Sequence, residues 1–171
     1  MGLLLHCGGK HASLYELQQI QLPSETDTYK PVSHYELALN LADVASGLLN
    51  GYTLSKSLFG LARGGKQMFG VHTFRNGSES MGLSIGFRNS YDKSMSVGIA
   101  IGATVFVCDN LALTGDISLM RKHTTNVWED LETMVVTTVY RSQHNFQHIV
   151  QDANLFKQKS ISDNEAYQFL G

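Results

Sequence analysis

Two short basic segments hold the side chains of this chain that are best suited to bind phosphate groups. In the first, the polar turn RNSYDKS, Arg88 and Lys93 could contact phosphates while Tyr91 stacks on a base. Proteins that bind single strands without sequence preference combine these two kinds of contact. The alternative is a turn bonded to itself, in which Asp92 caps backbone amides and pairs with Arg88.

The second segment follows the last predicted strand and contains Arg121, Lys122 and His123. It leads into a helix that we expect to be capped at Asn126, and backbone amides at a helix N-terminus favour anions. The segment is therefore the best phosphate-binding candidate in the chain. A basic turn exposed to solvent is the alternative.

Histidine and cysteine spacing gives only weak indications of a metal site. His144 and His148 are one helical turn apart, but no third ligand accompanies them. His6, Cys7 and His11 lie around a glycine turn without a CxxC pair. We expect no metal and no other cofactor.

No motif in the sequence places a nucleophile beside a base. The glycine-rich segments 60–65 and 98–102 both lack the Gly-Lys-Ser/Thr ending of a phosphate-binding P-loop. Cys108 is expected to be a small buried hydrophobic side chain. The sequence therefore predicts a protein that is not an enzyme.

Strands must position these residues. Bulky apolar residues alternate with small or polar ones in the runs 81–87, 97–107 and 111–119, and side chains in a strand point alternately to opposite faces. Turns at 63–65 and 76–77 separate further short strands. We predict an α+β fold with about five antiparallel strands, one helix before the sheet and a long helix after it.

One face of this predicted sheet is nearly bare. Its positions are occupied by small residues, which weaken strands unless something approaches closely. They are Gly82, Gly86, Gly98, Ala100 and Gly102. A ligand or a nucleic-acid backbone could lie there, and a packed helix or a neighbouring subunit is the alternative.

The chain is predicted to form a single domain in four parts. Within 1–171 these are an irregular N-terminal arm (1–30), a helix (31–50), the antiparallel sheet (52–121) and a helical C-terminal part (126–171). Capping boxes at Ser33–Glu36 and Asn126–Glu129 begin the two helices. Ser162 begins a final short helix with Phe169 and Leu170 exposed, so a truncated chain or a bound partner is expected.

Charge is unevenly distributed along the chain. The net charge is −2, but residues 56–122 contain eight basic and four acidic residues, and the remainder contains five and eleven. This polarity could attract a polyanion to the sheet, because local fields steer association. The low charged fraction of 16% favours buried contacts in a homo-oligomer.

Membrane association and export are not indicated. No apolar run approaches the roughly 18 residues of a membrane span, and the MGLLLH start is too short for a signal peptide. Cys7 and Cys108 are 101 positions apart in dissimilar settings, which does not indicate a disulfide. We expect a cytoplasmic protein with no membrane contact.

Several segments resemble a family of phage- and plasmid-borne proteins known as a domain of unknown function. They are TDTYKPVSH, GGKQMFGVHTF, GFRNSYDKSMSVGIAIGATVFVCDNLALTGD, RKHT and SISDNEA. The resemblance covers residues 3–171, and RNSYDKS followed by GxxVFVCDNLA is its most specific part. It implies a mobile element in a bacterial host and longer family members. The predicted element order is also similar to that of phage single-strand annealing proteins, which form rings around a basic groove.

These observations give two hypotheses about function. In the first, the protein holds single-stranded DNA against the basic, glycine-faced sheet as an oligomer. The residues expected to bind nucleic acid are Arg88, Tyr91, Lys93, Arg121, Lys122 and His123. In the second, it is an interaction module that binds or inhibits a host protein through the bare face or the terminal helix.

Overall fold

The structure is a computed structural model. It describes residues 2–5, 8–77, 82–103, 106–108, 113–115, 117–160, 162 and 167–168. The predicted final helix after Ser162, with Phe169 and Leu170, lies largely outside this part of the chain.

The described chain contains nine strands and three helices. The strands are β1 (Gly2–Leu4), β2 (Lys10–Ala12), β3 (Thr53–Ala62), β4 (Gln67–Arg75), β5 (Leu83–Ser90), β6 (Val97–Gly102), β7 (Phe106–Cys108), β8 (Leu113–Thr114) and β9 (Ile117–Arg121). The helices are α1 (Leu14–Gln19), α2 (His34–Leu48) and α3 (Val127–Gln158), with a 3-10 turn at Arg63–Gly65.

Six strands form the main antiparallel sheet, in the order β2-β3-β4-β5-β6-β9. The predicted α+β fold is therefore confirmed, with the helix α2 before the strands β3 to β9 and the longer helix α3 after them. Five of the six strands come from the predicted range 52–121. The sixth, β2, pairs with β3 and comes from the N-terminal arm, which was predicted to be irregular.

The N-terminal arm is more ordered than its composition indicates. It also contributes α1, which begins with a complete capping box between Ser13 and Glu16. Its strand β1 pairs in parallel with β7, and β7 pairs with β8, to make a second, three-stranded sheet. The predicted continuous strand over 97–107 is therefore wrong, because β6 ends at Gly102 and β7 belongs to the other sheet.

The apolar face of the main sheet packs against the helices. Leu83, Ile85 and Phe87 of β5 belong to one buried cluster with residues of α2 and α3. Gly70 and Phe87 are register partners on β4 and β5. A Cβ at Gly70 would lie 2.3 Å from the Phe87 ring, so the glycine makes room for this ring in the core.

The small second sheet covers the opposite, glycine-rich face. Its strands β7 and β8 contact β5 and β6, and β1 contacts β3 and β4. A Cβ at Gly60 would lie 2.7 Å from the Leu5 side chain, and one at Gly115 would lie 3.1 Å from Cβ of Ala100. The close approach predicted from the bare residues is therefore made by the chain itself. Neither a helix nor a neighbouring subunit is needed to cover them.

The two long helices are capped differently. Ser33 accepts a hydrogen bond from the backbone N–H of Glu36 at 3.2 Å, as predicted for the start of α2. Asn126 makes no capping hydrogen bond through its side chain, so the predicted cap of α3 is wrong. Across the described residues, no helix is long and apolar enough to cross a bilayer.

Candidate functional site

A cavity of about 380 Å³ at one end of the main sheet brings together three of the six predicted nucleic-acid-binding residues. Its walls come from three separate parts of the chain. The lining residues are Thr28, Tyr29, Lys93, Ser94, Met95, Ser96, Lys122, His123 and Thr124. We call this cavity the basic pocket.

Strand pairing explains why these segments meet. Val97 at the start of β6 pairs with Arg121 at the end of β9. The β5–β6 turn and the β9–α3 connection therefore leave the sheet at the same end. The third segment is joined to them when the backbone N–H of Lys30 donates to the carbonyl of His123 at 3.1 Å.

Lys93 sits in a strained position at the pocket. Its φ of 60° is left-handed, which is uncommon for a residue other than glycine. The Asp92 carboxylate supports this turn by accepting hydrogen bonds from the backbone and hydroxyl of Ser94. The Lys93 ammonium lies 4.5 Å from the centre of the Tyr29 ring, a cation–π geometry.

Tyr29 is the aromatic residue of the pocket, and sequence reasoning missed it. The side chain is only 6% exposed, and its hydroxyl is buried without a hydrogen-bond partner. Burial raises the pKa of Tyr29, with smaller effects from Tyr91 and Asp92, so the hydroxyl keeps its proton. A buried hydroxyl without an acceptor is costly. Nothing local in the sequence distinguishes this tyrosine.

A chain of hydrogen bonds behind the pocket holds His123 in place. His34 Nε2 donates to the Gly65 carbonyl at 3.1 Å, so His34 Nδ1 accepts from Asn89 Nδ2 at 2.9 Å. Asn89 Nδ2 also donates to the Val32 carbonyl. The Asn89 oxygen must then accept from His123 Nε2, 2.7 Å away. We therefore assign the proton of neutral His123 to Nε2.

Burial keeps His34 and His123, the two histidines of this hydrogen-bond network, neutral. It lowers the pKa of His34 to about 4 and also lowers the pKa of His123. Near neutral pH the positive charge of the pocket therefore comes from Lys93 and Lys122.

Tyr91 does not face the pocket. Its side chain is 8% exposed, and its ring stacks on His34 with centroids 3.7 Å apart. Its hydroxyl oxygen accepts a hydrogen bond from the backbone N–H of His34, with nitrogen and oxygen 2.8 Å apart. The predicted stacking on a base therefore does not fit this structure, because the ring is already buried against a histidine.

Arg88 and Arg121 also lie away from the pocket. Arg121 forms an ion pair with Asp130 of α3, with Nη2 and Oδ2 2.5 Å apart. Arg88 contacts Met120 on the glycine-rich face, where its Nη2 lies 3.0 Å from the sulfur. The six predicted residues therefore do not form one continuous basic surface.

The structure places one hydroxyl beside one imidazole, which no sequence motif indicated. Ser57 Oγ lies 2.9 Å from His72 Nδ1, while His72 Nε2 donates to the Ala38 carbonyl. Burial lowers the pKa of His72 to about 4, which makes it a weak base. The Phe59 and Phe87 rings pack around it. We interpret this contact as a link between the sheet and α2.

Metal-binding candidates do not converge in the described part of the chain, where no three His, Cys, Asp or Glu side chains are grouped to hold an ion. His6 and Cys7 lie outside the described residues, as does the side chain of His144. The backbone of Cys108 lies in β7.

Comparison with known proteins adds no independent information. No family model, no curated protein and no solved structure matches this chain. The resemblance to phage- and plasmid-borne proteins stays a prediction, and function must be argued from the basic pocket.

Proposed function

We propose that this protein binds single-stranded nucleic acid without catalysing a reaction, and that the basic pocket holds a phosphate group of the strand. The setting we propose is a phage or plasmid in a bacterial host. One observation carries the proposal: Lys93 and Lys122, from two different connections, line the same cavity as His123 and Tyr29, and the buried hydroxyl of Tyr29 has no hydrogen-bond partner in the structure.

The composition of the basic pocket suits a phosphate. Among the described residues that line it, none carries a carboxylate, and Thr28, Ser94, Ser96 and Thr124 supply hydroxyl groups. Lysine ammonium groups contact phosphates as point charges. Phosphate contacts supply most of the affinity of binding that does not depend on sequence.

This proposal is narrower than the sequence-based hypothesis. The glycine-rich face is covered by the second sheet, and Tyr91 is buried, so neither is part of the proposed contact. Arg88 and Arg121 are also left out, because they contact Met120 and Asp130. The strand would be held at the end of the sheet.

The test is a titration of a labelled single-stranded oligonucleotide, followed by fluorescence anisotropy at low and moderate salt. We expect Lys122→Ala to weaken binding and to lower the slope of log affinity against log salt by about 1, the effect of one lost phosphate contact. Lys10→Ala is the matched control, because Lys10 is an exposed lysine on the edge strand β2.

Two results would count against the proposal. The first is no binding by the unmodified protein at low salt. The second is an equal affinity for the Lys122→Ala and Lys10→Ala proteins. A duplex of the same sequence serves as the control for strand preference.

A second candidate function is the binding of a protein, and the end of α3 favours it. Leu155 and Phe156 are 64% and 74% exposed there. They line a cavity of about 460 Å³ with Asp152, Gln158 and Lys159. The absorbance of the purified protein separates the two candidates: co-purified nucleic acid supports the first, and a nucleic-acid-free preparation that aggregates supports the second.

A further inference from the structure

We propose that the basic pocket recognises the terminal phosphate of a nucleic-acid strand in preference to an internal phosphodiester. This inference rests on the proposed function and specifies its ligand. It depends on three features: the isolation of the pocket's charge, the amount of that charge, and the unpartnered hydroxyl of Tyr29.

The positive charge of the pocket is isolated from the cations around it. Arg121, next to Lys122 in the chain, is paired with Asp130. Lys30, next to Tyr29, is paired with Glu25 at 2.5 Å. Proteins that track an internal backbone use a continuous positively charged groove. Here the two cations next to pocket residues in the chain are paired with acids, so neither extends the pocket into a row of unpaired cations.

The amount of charge fits a monoester better than a diester. A phosphomonoester carries a charge of about −1.5 to −2 near pH 7, whereas each internal phosphodiester carries −1. Lys93 and Lys122 together match the larger value. The Asp92 carboxylate, next to Lys93 in the chain, is not among the groups that line the pocket, and Ser94 donates to it through both its backbone N–H and its hydroxyl.

The number of acceptor oxygens also separates the two ligands. An internal phosphodiester has two non-bridging oxygens that can accept hydrogen bonds. A terminal phosphate has three oxygens free to accept hydrogen bonds. The third oxygen can accept from the Tyr29 hydroxyl, which is buried and has no partner in the structure. A terminal phosphate therefore offers one more acceptor oxygen than a diester to the donors of the pocket, which include the hydroxyl groups of Tyr29, Thr28, Ser94, Ser96 and Thr124.

The test compares three oligonucleotides of one sequence, each labelled internally, with a 5′-phosphate, a 3′-phosphate or hydroxyl groups at both ends. We expect at least one phosphorylated strand to bind about tenfold more tightly than the hydroxyl strand, because the terminal phosphate adds a hydrogen bond to a charged group. Inorganic phosphate should compete with the terminal phosphate and remove the difference in affinity between the phosphorylated and hydroxyl strands. Tyr29→Phe should reduce the ratio between the affinity for the phosphorylated strand and the affinity for the hydroxyl strand.

The outcomes separate this inference from the proposed function. Equal affinity of the unmodified protein for all three strands would overturn terminal recognition and leave single-strand binding intact. No binding to any strand would overturn both. If the Tyr29→Phe protein prefers the phosphorylated strand as strongly as the unmodified protein does, the hydroxyl is not the discriminating group. That result also overturns the inference. Thermal unfolding of the variant confirms that it is folded.

Discussion

At the scale of single residues, two buried histidines make stability depend on pH. Burial lowers the pKa of His34 and of His72 to about 4 each, while an unfolded histidine titrates near pH 6.5. As the pH falls from about 6.5 to about 4, the unfolded chain therefore binds protons that the folded chain does not. The free energy of unfolding therefore keeps its full value above pH 6.5. Below pH 6.5 it decreases, by up to about 3 kcal/mol for each histidine.

We therefore predict that the midpoint of thermal unfolding falls between pH 7 and pH 5, before most carboxylates titrate. His72→Gln removes one of the three histidines whose pKa burial lowers, so the fall over this pH range should shrink by roughly a third to a half. The comparison uses the difference between the two pH values, because the substitution also lowers stability at pH 7. An unchanged pH dependence in His72→Gln would contradict this assignment.

Some residues of the site could be predicted from the sequence, and others could not. Lys93, Lys122 and His123 lie in polar turns, and turn composition is a local property that a sequence displays. Tyr29 and Asn89 acquire their roles only through contacts distant in the chain, such as the bond from Asn89 to Val32, 57 positions away. The burial of Tyr91 against His34 is equally remote and could not be predicted from its neighbours.

At the scale of elements, the glycines of the main sheet are required by packing. Gly70→Ala would place a Cβ 2.3 Å from Cζ of Phe87, and crowding of this kind costs about 1–3 kcal/mol. Gly47 in α2 is the matched control, because a Cβ there meets nothing within 4 Å. Gly47→Ala should stabilise the protein by about 0.5–1 kcal/mol, since alanine is the better helix former.

Urea unfolding of the two variants measures these opposite shifts. Phe87→Leu introduced together with Gly70→Ala should recover part of the loss, because the smaller side chain relieves the contact. A Gly70→Ala protein as stable as the unmodified one would show that the core adjusts at no cost, and it would remove this explanation for the glycine.

Element length decided which strands could be predicted. The main-sheet strands from 52–121 have 5 to 10 residues, long enough for alternation to be recognised. The second sheet is made of strands of two or three residues, and β1 pairs with β7 about 100 positions away. Strands of two or three residues are too short to show a periodic pattern.

At the scale of the whole molecule, layering decides where a ligand can bind. The helices cover one face of the main sheet and the second sheet covers the other. The sequence predicted the small residues that permit close approach but not what would approach, because a glycine stripe fits a ligand and a strand equally well. The basic pocket lies at the end of the sheet, where connections from three segments meet.

The long helix α3 gives the last prediction, which concerns assembly. Its buried stripe includes Leu131, Val135, Val139 and Phe146, and helical periodicity continues this stripe towards Phe156. Phe156 is nevertheless 74% exposed. We predict that copies of this chain associate through this end of α3, because an exposed apolar stripe on a helix gains stability by packing against another.

Light scattering coupled to size exclusion, over a range of protein concentrations, measures this association. Phe156→Ser should shift the protein towards the monomer, because it removes the largest exposed apolar side chain of the stripe. Tyr140→Ser is the matched control: Tyr140 is equally exposed on α3, but 16 positions at 100° each place it on nearly the opposite face of the helix. A monomer at every concentration would contradict the prediction, and so would equal effects of the two substitutions, because exposure alone and not the stripe would then govern association.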